Sequence, residues 1–256
     1  MAKVLVRDDG PVRVLTLNRP EVHNCVDGET ATHLAEAIQA FAADAGAHVL
    51  VITGAGQKAF CSGADLKNLT SLLGHDWVER AGPMGFARLD PGKPTLAAVN
   101  GYCFAGGLEL AAWCDFRIAA ANAEFGALNR RWGVPFADGG TLRFARIVGQ
   151  GNALWLVETG VRIDAQRALA IGLVQEVVAT GQALARALEV ARRVAEYPQA
   201  SLRADRTATL ATWGLSLAEG LRLEAETCLP TAGDPEMAKG LARFTGPDRP
   251  EAPRPT

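Results

Sequence analysis

The fold of this chain is decided by one stretch, TLAAVNGYCFAGGLELAAWCDFRIAA, which occupies residues 95–120. It opens with an apolar, β-prone run that ends in an Asn-Gly pair, a sequence typical of a strand end and a turn. Leu108–Trp113 consists of strong helix formers, and a helix is expected to begin near Gly106. Backbone N–H groups in the first turn of a helix have no intrahelical acceptor and attract negative charge. Because Glu109 falls in that turn, the stretch predicts either a carboxylate beside an anion-binding amide or a buried joint with a capping glutamate.

A second stretch, KAFCSGADLK at residues 58–67, has related features. It follows a strand-like run, Val49–Thr53, and a glycine-rich turn. The pair Gly63-Ala64, directly before polar Asp65, offers backbone N–H groups at a turn into a helix. Two such amides that converge on one carbonyl oxygen form an oxyanion hole, which stabilises a thioester enolate by roughly 3–4 kcal/mol per donor. The two stretches together predict an enolate-stabilising site.

These residues resemble the crotonase superfamily, which comprises enoyl-CoA hydratases and isomerases. The resemblance covers most of the chain, from Val4 to Phe244. Its motifs are Asn18-Arg19-Pro20 with Asn24, AFCSGADLK at residues 59–67, AAVNGYCFAGGLELAAWCDFRIAA at residues 97–120 and FADGGT at residues 136–141. The resemblance implies an α/β fold, namely a crotonase-like spiral of ββα turns with a C-terminal helical trimerisation layer.

The resemblance also implies which groups form the active site. The backbone N–H groups of Ala64 and Gly106 would be the oxyanion hole, and Glu109 the first of two hydratase glutamates. Further residues expected at the substrate are Gly63, Asp65, Leu66, Lys67 and Asn129. No metal and no other cofactor is implied, since coenzyme A enters as part of the acyl-CoA substrate.

The chain departs from the hydratase pattern at the second glutamate. In hydratases this residue follows an Ala-x-Phe-Gly segment, which is present here at residues 123–126. Counted from that segment, its place holds Asn129, whose amide cannot exchange a proton as a carboxylate does. Dienoyl-CoA isomerases and the 4-chlorobenzoyl-CoA dehalogenase resemble this chain in placing an aspartate near its Asp138. Asp138 is therefore the candidate second catalytic carboxylate.

Three functions are left open by these residues. Syn hydration of a 2-enoyl-CoA is the commonest expectation for the superfamily, and two carboxylates suit a reaction that protonates one carbon and activates water toward the other. An enoyl- or dienoyl-CoA isomerase would need a single carboxylate that takes a proton and returns it. A non-catalytic acyl-CoA-binding member is favoured by Asn129 and opposed by the retention of Glu109 and Asp138.

The composition argues against several other classes of function. The chain of 256 residues has a net charge of −2 and is 48% hydrophobic, which gives no reason to expect nucleic acid or an anionic membrane as partner. No apolar run approaches the roughly 20 residues of a membrane span, and the N-terminus lacks the apolar core of a signal peptide. Five scattered cysteines without a CxxC pair, and four histidines without metal-ligand spacing, favour reduced thiols over disulfides or zinc. A cytoplasmic location is therefore expected.

The chain is expected to comprise a ββα spiral core at residues 1–195, a helical region at residues 196–246 and a disordered tail at residues 247–256. Apolar periodicity predicts one long helix from Leu202 to Cys228. The resemblance implies that the C-terminal helices assemble the chain into a homotrimer or a dimer of trimers. Their apolar stripe fits packing within one chain as well.

Two local predictions complete the sequence-based description. Asp27 or Thr30 is expected to cap a helix that ends near Ala43. Residues 68–94 are expected to form a short helix and a mobile segment, which either walls an acyl pocket or packs as a satellite cluster beneath a loop.

Overall fold

The computed structural model describes residues 2–74, 78 and 81–247 of the chain. The chain divides into two compact units, Met1–Val194 and Ala195–Thr256. The expected domains at residues 1–195 and 196–246 stay a prediction, because compactness does not show that either part folds alone. Except for Pro247, the expected disordered tail lies outside the described residues.

Two sheets form the scaffold of the first unit. In the described residues the strands are β1 (Val4–Asp9), β2 (Val12–Leu17), β3 (Val49–Gly54), β4 (Ala59–Cys61), β5 (Thr95–Val99), β6 (Tyr102–Phe104), β7 (Phe116–Ala120), β8 (Glu124–Gly126), β9 (Ile163–Asp164) and β10 (Glu176–Val178). The larger sheet has the order β1-β2-β3-β5-β7-β10, and the smaller sheet has the order β4-β6-β8-β9. Neighbouring strands run parallel except for the antiparallel pairs β1–β2 and β8–β9.

Helices cover these sheets and continue into the second unit. In the described residues they are α1 (Gly28–Ala43), α2 (Thr70–Leu73), α3 (Gly106–Trp113), α4 (Gly140–Val148), α5 (Gln150–Thr159), α6 (Ala165–Ala170), α7 (Ala183–Glu196), α8 (Gln199–Ala211), α9 (Leu217–Cys228) and α10 (Pro235–Thr245). None of the helices in this part of the chain is both long enough and apolar enough to cross a bilayer.

The strands alternate between the two sheets along the chain. β3, β5 and β7 belong to the larger sheet, and the strand that follows each of them belongs to the smaller sheet. A helix then follows each pair of strands, so that α2, α3 and α4 close three successive turns. β3 and β5 are buried along their whole length, as is typical of parallel strands covered on both faces. This repetition confirms the α/β spiral of ββα turns.

The helix α1 ends at Ala43, as predicted, and its N-cap is one of the two predicted residues. Asp27, and not Thr30, caps α1, because the Asp27 carboxylate accepts a hydrogen bond of 2.9 Å from the Thr30 N–H. Leu34, Ile38 and Phe41 follow at helical spacing and are fully buried. A cap of this kind contributes about 1 kcal/mol, and burial of the apolar face contributes the rest of the helix's stability.

The prediction of a single helix from Leu202 to Cys228 is wrong. α8 ends at Ala211, and α9 begins at Leu217. Between them Gly214 adopts a φ of +89°, which continues no right-handed helix. Ser216 then caps α9 through a reciprocal pair of hydrogen bonds with Glu219, a capping box that starts a new helix. Apolar periodicity therefore continues across a break that the local sequence imposes.

The stretch at residues 68–94 contains the expected short helix, α2. The expected mobile segment falls partly on residues 75–77, 79 and 80, which lie outside the described residues. Beyond them Met84 and Phe86 are buried in the core of the first unit.

Candidate active site

A cavity of about 210 Å³ lies where the two stretches singled out in the sequence meet. Its apolar wall includes Leu69, Leu72, Met84, Leu128, Pro135 and Phe136. Among the described residues that line it, the ionisable side chains are Glu109 and Asp138. An apolar pocket with a few convergent polar groups is the usual form of a small-molecule site.

Two residues of this cavity wall, Ala64 and Gly106, carry backbone N–H groups of interest. Ala64 and Gly106 both line the cavity, and neither N–H donates to another group among the described residues. Their segments are in close contact, because a Cβ at Gly63 would lie only 2.8 Å from the Gly106 nitrogen. This approach requires glycine at position 63, which also has a φ of +96°. The arrangement fits a pair of donors for one carbonyl oxygen.

The Gly106 amide is aimed by an unusual backbone at the preceding residue. Ala105, the N-cap of α3, has a φ of +51° and a ψ of −125°, a region that residues with a Cβ rarely occupy. Its own N–H donates to the Gly126 carbonyl at 2.9 Å, which fixes the turn to β8. Such conformations cost of order 1–3 kcal/mol and persist where the surroundings determine them. The strain lies at the start of the helix that carries Glu109.

The Ala64 amide is fixed by a short bridge and an ion pair. Val26 donates its N–H to the Gly63 carbonyl and accepts the Asp65 N–H, each at 2.8 Å. The Asp65 carboxylate is largely buried and accepts a hydrogen bond of 2.9 Å from the Arg19 guanidinium. Asp65 therefore helps to hold the segment that carries the Ala64 N–H, although Asp65 itself does not line the cavity.

The structure separates the residues expected at the substrate. Leu66 and Asn129 line the cavity. Gly63, Asp65 and Lys67 lie next to lining residues but are not themselves part of the lining. A substrate role for each of these five residues stays a prediction.

Glu109 is held by the glycine turn that precedes α4. One of its oxygens accepts the N–H groups of Asp138, at 2.9 Å, and Gly140, at 2.8 Å. The residue is only 3% exposed, and this burial, reinforced by the nearby Asp138 carboxyl, raises the pKa of Glu109 to about 8. The two N–H donors and the Arg143 guanidinium act in the opposite direction but do not outweigh burial.

Asp138 is less strongly perturbed. Its carboxyl accepts one hydrogen bond of 3.1 Å from the Met84 N–H. Burial raises the pKa of Asp138 to about 6, against the lowering effect of that N–H and of the guanidinium groups of Arg88 and Arg143. Burial thus raises the pKa of both carboxyls toward neutral pH, as is typical of groups that exchange protons in an active site.

Asn129 stands at the place of the second hydratase glutamate and has a different environment. Its Nδ2 donates to the Val134 carbonyl at 2.8 Å, and the Val134 N–H donates to the Asn129 carbonyl at 3.3 Å. These bonds close the turn after the 3₁₀ segment Leu128–Trp132. The Nδ2 group of Asn129 is thus bonded within the cavity wall, whereas its buried Oδ1 has no hydrogen-bond partner among the described residues.

Sequence reasoning missed two contributors to this site. Met84 lies in the stretch 68–94, for which the sequence predicted only a pocket wall or a packing cluster, and its N–H donates to the Asp138 carboxyl at 3.1 Å. Gly82 and Gly85 on either side both have positive φ, and such a spacing of glycines is the signal that marks a close backbone approach. Arg143 lies near both carboxyls, and no pattern in the sequence indicated it.

Comparison with known proteins fits this geometry. A family model described as Enoyl-CoA hydratase/isomerase matches residues 7–251. The chain belongs to the enoyl-CoA hydratase/isomerase family. A probable enoyl-CoA hydratase of Rhizobium meliloti is 35% identical over 242 residues, 94% of either chain. A crotonyl-CoA hydratase of Syntrophomonas wolfei is 33% identical over 245 residues, again 94% of either chain.

Members of the enoyl-CoA hydratase/isomerase family with solved structures share the whole fold. The crystal structure of an enoyl-CoA hydratase from Mycobacterium tuberculosis has a TM-score of 0.90 and 30% identity, covering 97% of this chain and 98% of that one. The crotonase fold implied by the motifs is thus confirmed. The chain is an enzyme of this family, with hydratase- or isomerase-type activity on acyl-CoA thioesters.

Proposed function

We propose that this enzyme catalyses the syn addition of water to a 2-enoyl-CoA. The observation that carries the proposal is that two carboxyls of different pKa, Glu109 and Asp138, line one cavity with the unpaired N–H groups of Ala64 and Gly106. The thioester carbonyl accepts both N–H groups. They stabilise the enolate that forms on addition by roughly 3–4 kcal/mol per donor.

The two carboxyls divide the proton transfers between them. Ionised Asp138 takes a proton from water as the oxygen bonds to C3, and the electron pair of the double bond moves into the thioester enolate. Protonated Glu109 then delivers its proton to C2 as the enolate returns to the thioester. Afterwards Asp138 carries a proton and Glu109 is ionised, and exchange with solvent restores the starting state. The pKa values of about 6 and about 8 suit this order at neutral pH.

An isomerase is the second candidate, and Asn129 is the observation that favours it. Asn129 occupies the place of the second hydratase glutamate, and its amide cannot exchange a proton as a carboxylate does. Isomerisation needs only a single carboxyl, which moves a proton between two carbons. A passive acyl-CoA-binding protein is the third candidate, since the same cavity would hold a thioester without turning it over.

Turnover and binding assays separate these functions. We expect the enzyme to convert crotonyl-CoA to 3-hydroxybutyryl-CoA faster than it converts a 3-enoyl-CoA to its 2-enoyl isomer. Chromatographic separation of the CoA esters measures both rates. The opposite ranking would establish the isomerase. Calorimetric binding of acyl-CoA without turnover of either ester would establish the passive protein.

The proposal extends to the setting in which the enzyme works. It acts as a homotrimer or a dimer of trimers in the cytoplasm, with coenzyme A entering as part of the substrate and no other cofactor. The crotonase resemblance of the chain supports this assembly, and the scattered cysteines support a reducing compartment.

A further inference from the structure

The guanidinium group of Arg143 donates hydrogen bonds to two backbone carbonyls. It lies in the first turn of α4 and folds back over the glycine turn, where Gly139 leaves no space for a Cβ beside its Nη1. Nη1 donates to the Asp138 carbonyl at 2.8 Å, and Nη2 donates to the Ala87 carbonyl at 2.7 Å. No carboxylate lies within ion-pair distance of Arg143 in the described part of the chain.

The two carbonyls belong to the two segments that form the acid–base pair. Ala87 lies in the segment 81–89, whose Met84 N–H binds the Asp138 carboxyl. Asp138 lies in the turn whose N–H binds the Glu109 carboxyl. Arg143 thus joins the segment 81–89 to the turn that contains Asp138. These two segments also provide N–H donors to the carboxyls of Asp138 and Glu109.

Arg143 is a half-buried cation whose hydrogen bonds in the described part of the chain go to carbonyls, as most of those of the buried Arg117 also do. Taking a charge out of water is costly, and neutral donors can also join two carbonyls. The charge gains from a second interaction here, because Glu109 and Asp138 both act on Arg143 through their charges. A cation at this place therefore serves the carboxyls as well as the carbonyls.

We propose that Arg143 is a positioning residue, which clamps the Asp138 turn to the segment 81–89 and holds the Glu109–Asp138 pair in its working geometry and charge state. This inference rests on the proposed function, since it takes those two carboxyls as the proton-transfer groups. Arg143 itself does not line the cavity.

Other charged groups also act on the pair and must be separated from Arg143. Arg88 lowers the pKa of Asp138, but its side chain is exposed and solvent screens it. The thiol of Cys114 and the guanidinium of Arg146 act on Arg143 itself. Arg146 is exposed on α4, one turn further on, so Arg146→Gln removes the same charge from the same helix without touching the clamp.

The test compares Arg143→Gln, Arg143→Lys and the control Arg146→Gln over a range of pH. For Arg143→Gln we expect kcat to fall at least ~10-fold with KM within about threefold, because positioning acts on the chemical step. The acid limb of its kcat/KM profile should move upward by about one pH unit, since a lost cation favours the protonated carboxyl. Arg143→Lys should keep the parent's limb while losing part of kcat, and Arg146→Gln should match the parent.

Three results would overturn the inference. They are a folded Arg143→Gln with kcat within twofold of the parent, a loss of kcat without a shift of the limb, and an equal shift in Arg146→Gln. If Arg143→Gln fails to fold, Arg143→Lys decides alone: a lowered kcat with an unshifted limb supports the clamp, and a kcat within twofold of the parent refutes it.

A measurement without turnover separates this inference from the proposed function. Carboxyl groups labelled with ¹³C in Glu109 and Asp138 can be titrated by NMR in the parent and in the variants. A parent without turnover would refute the proposed function, and the titration would still test the clamp. Upward-shifted carboxyl pKa values in Arg143→Gln but not in Arg146→Gln support it, and unshifted values overturn it.

Discussion

Glu109 shows that hydrogen bonds do not by themselves keep a carboxyl ionised. It accepts two backbone N–H groups, which favour the charged form, yet burial raises its pKa to about 8. Burial also raises the pKa of Asp138, and the Met84 N–H and then the guanidinium groups of Arg88 and Arg143 oppose it. The Asp138 carboxyl adds to the raised pKa of Glu109. For both carboxyls, burial is the largest influence on the pKa, and the hydrogen bonds and nearby cations only oppose it.

The carboxyl substitutions test the proposed division of roles. Glu109→Gln and Asp138→Asn should each lower kcat by ~10²–10⁴ and leave acyl-CoA affinity nearly unchanged, because each removes a proton-transfer group and keeps the side-chain shape. Steady-state kinetics with crotonyl-CoA and calorimetry with a saturated acyl-CoA measure the two quantities. A loss in only one variant would indicate a one-carboxylate isomerase, and full activity in both would refute the mechanism.

The pH dependence of stability gives a prediction at the same residues. Glu109 has a folded pKa of about 8 against 4.5 in the unfolded chain, so its contribution to stability is fully present below pH 4.5 and is lost as the pH rises through 8. In that window the free energy of unfolding falls by up to about 1.4 kcal/mol per pH unit. Glu109→Gln should lack this decline, and denaturant unfolding at several pH values measures it.

Asp138→Asn is the matched control for that measurement. Asp138 has a folded pKa of about 6 against 3.8 in the unfolded chain, so its own effect on the free energy of unfolding lies below pH 6. Asp138→Asn should therefore retain the decline in the free energy of unfolding between pH 6 and 8 that Glu109→Gln loses. Identical pH dependences in the parent and in Glu109→Gln would contradict the prediction.

At the scale of elements, α3 carries the groups that motif reading placed best. The sequence predicted its start at Gly106 and the position of Glu109 in its first turn, because glycines and strong helix formers act locally. The unusual backbone of Ala105 was not predictable, since an alanine gives no sign of a positive φ.

Position 106 provides a prediction for this element. Gly106→Pro removes the N–H and should lower turnover by ~100-fold or more. Proline is accepted at the first position of a helix, but it disfavours the backbone that Ala105 adopts, and any Cβ at position 106 meets the Met84 sulfur. Gly106→Ala is therefore the control, because it adds the Cβ and keeps the N–H. Equal losses in the two variants would assign the effect to crowding.

The errors of sequence reasoning lie where distance along the chain hides a contact or where periodicity was trusted alone. The signal that ends α8 was present, since Gly214 and the Ser216–Glu219 capping box are local. Gly82 and Gly85 signal a close backbone approach, but they do not identify Asp138 as its partner, because Met84 and Asp138 are 54 positions apart. Arg143 lies only five positions from Asp138, and no motif distinguishes it from the other arginines of the chain. Local sequence thus predicted two segments that line the cavity, at Ala64 and Gly106, while the surroundings of the carboxyls required the tertiary structure.

At the scale of the whole molecule, the second unit exposes large apolar side chains on its helices. Leu217 is 80% exposed and Leu229 is 71% exposed. Other large apolar side chains exposed in this unit are Leu210, Trp213, Leu215, Leu221, Met237, Leu241 and Phe244. Exposed apolar surface of this kind marks an interaction site.

We therefore expect the enzyme to associate, as a trimer or a pair of trimers. Replacing Leu217 and Leu221 together by Glu should weaken the association by placing charge on the apolar face, while Leu142→Glu on α4 is the matched control. Sedimentation at micromolar concentration measures the mass of each form. A stable monomer of the parent would rule the assembly out.

The unpaired amides of Ala64 and Gly106 have a consequence for how this enzyme is mapped genetically. They belong to the main chain, so among the natural residues only proline deletes them, and at position 64 the natural residue is already alanine. Alanine scanning would remove the carboxyls but leave both N–H donors in place, and an effect at position 106 would report crowding against Met84. Single-atom editing of the backbone, in which an α-hydroxy acid turns the amide into an ester, reaches them directly. The backbone N–H groups that bind the thioester carbonyl in the proposed mechanism are thus largely invisible to side-chain mutagenesis.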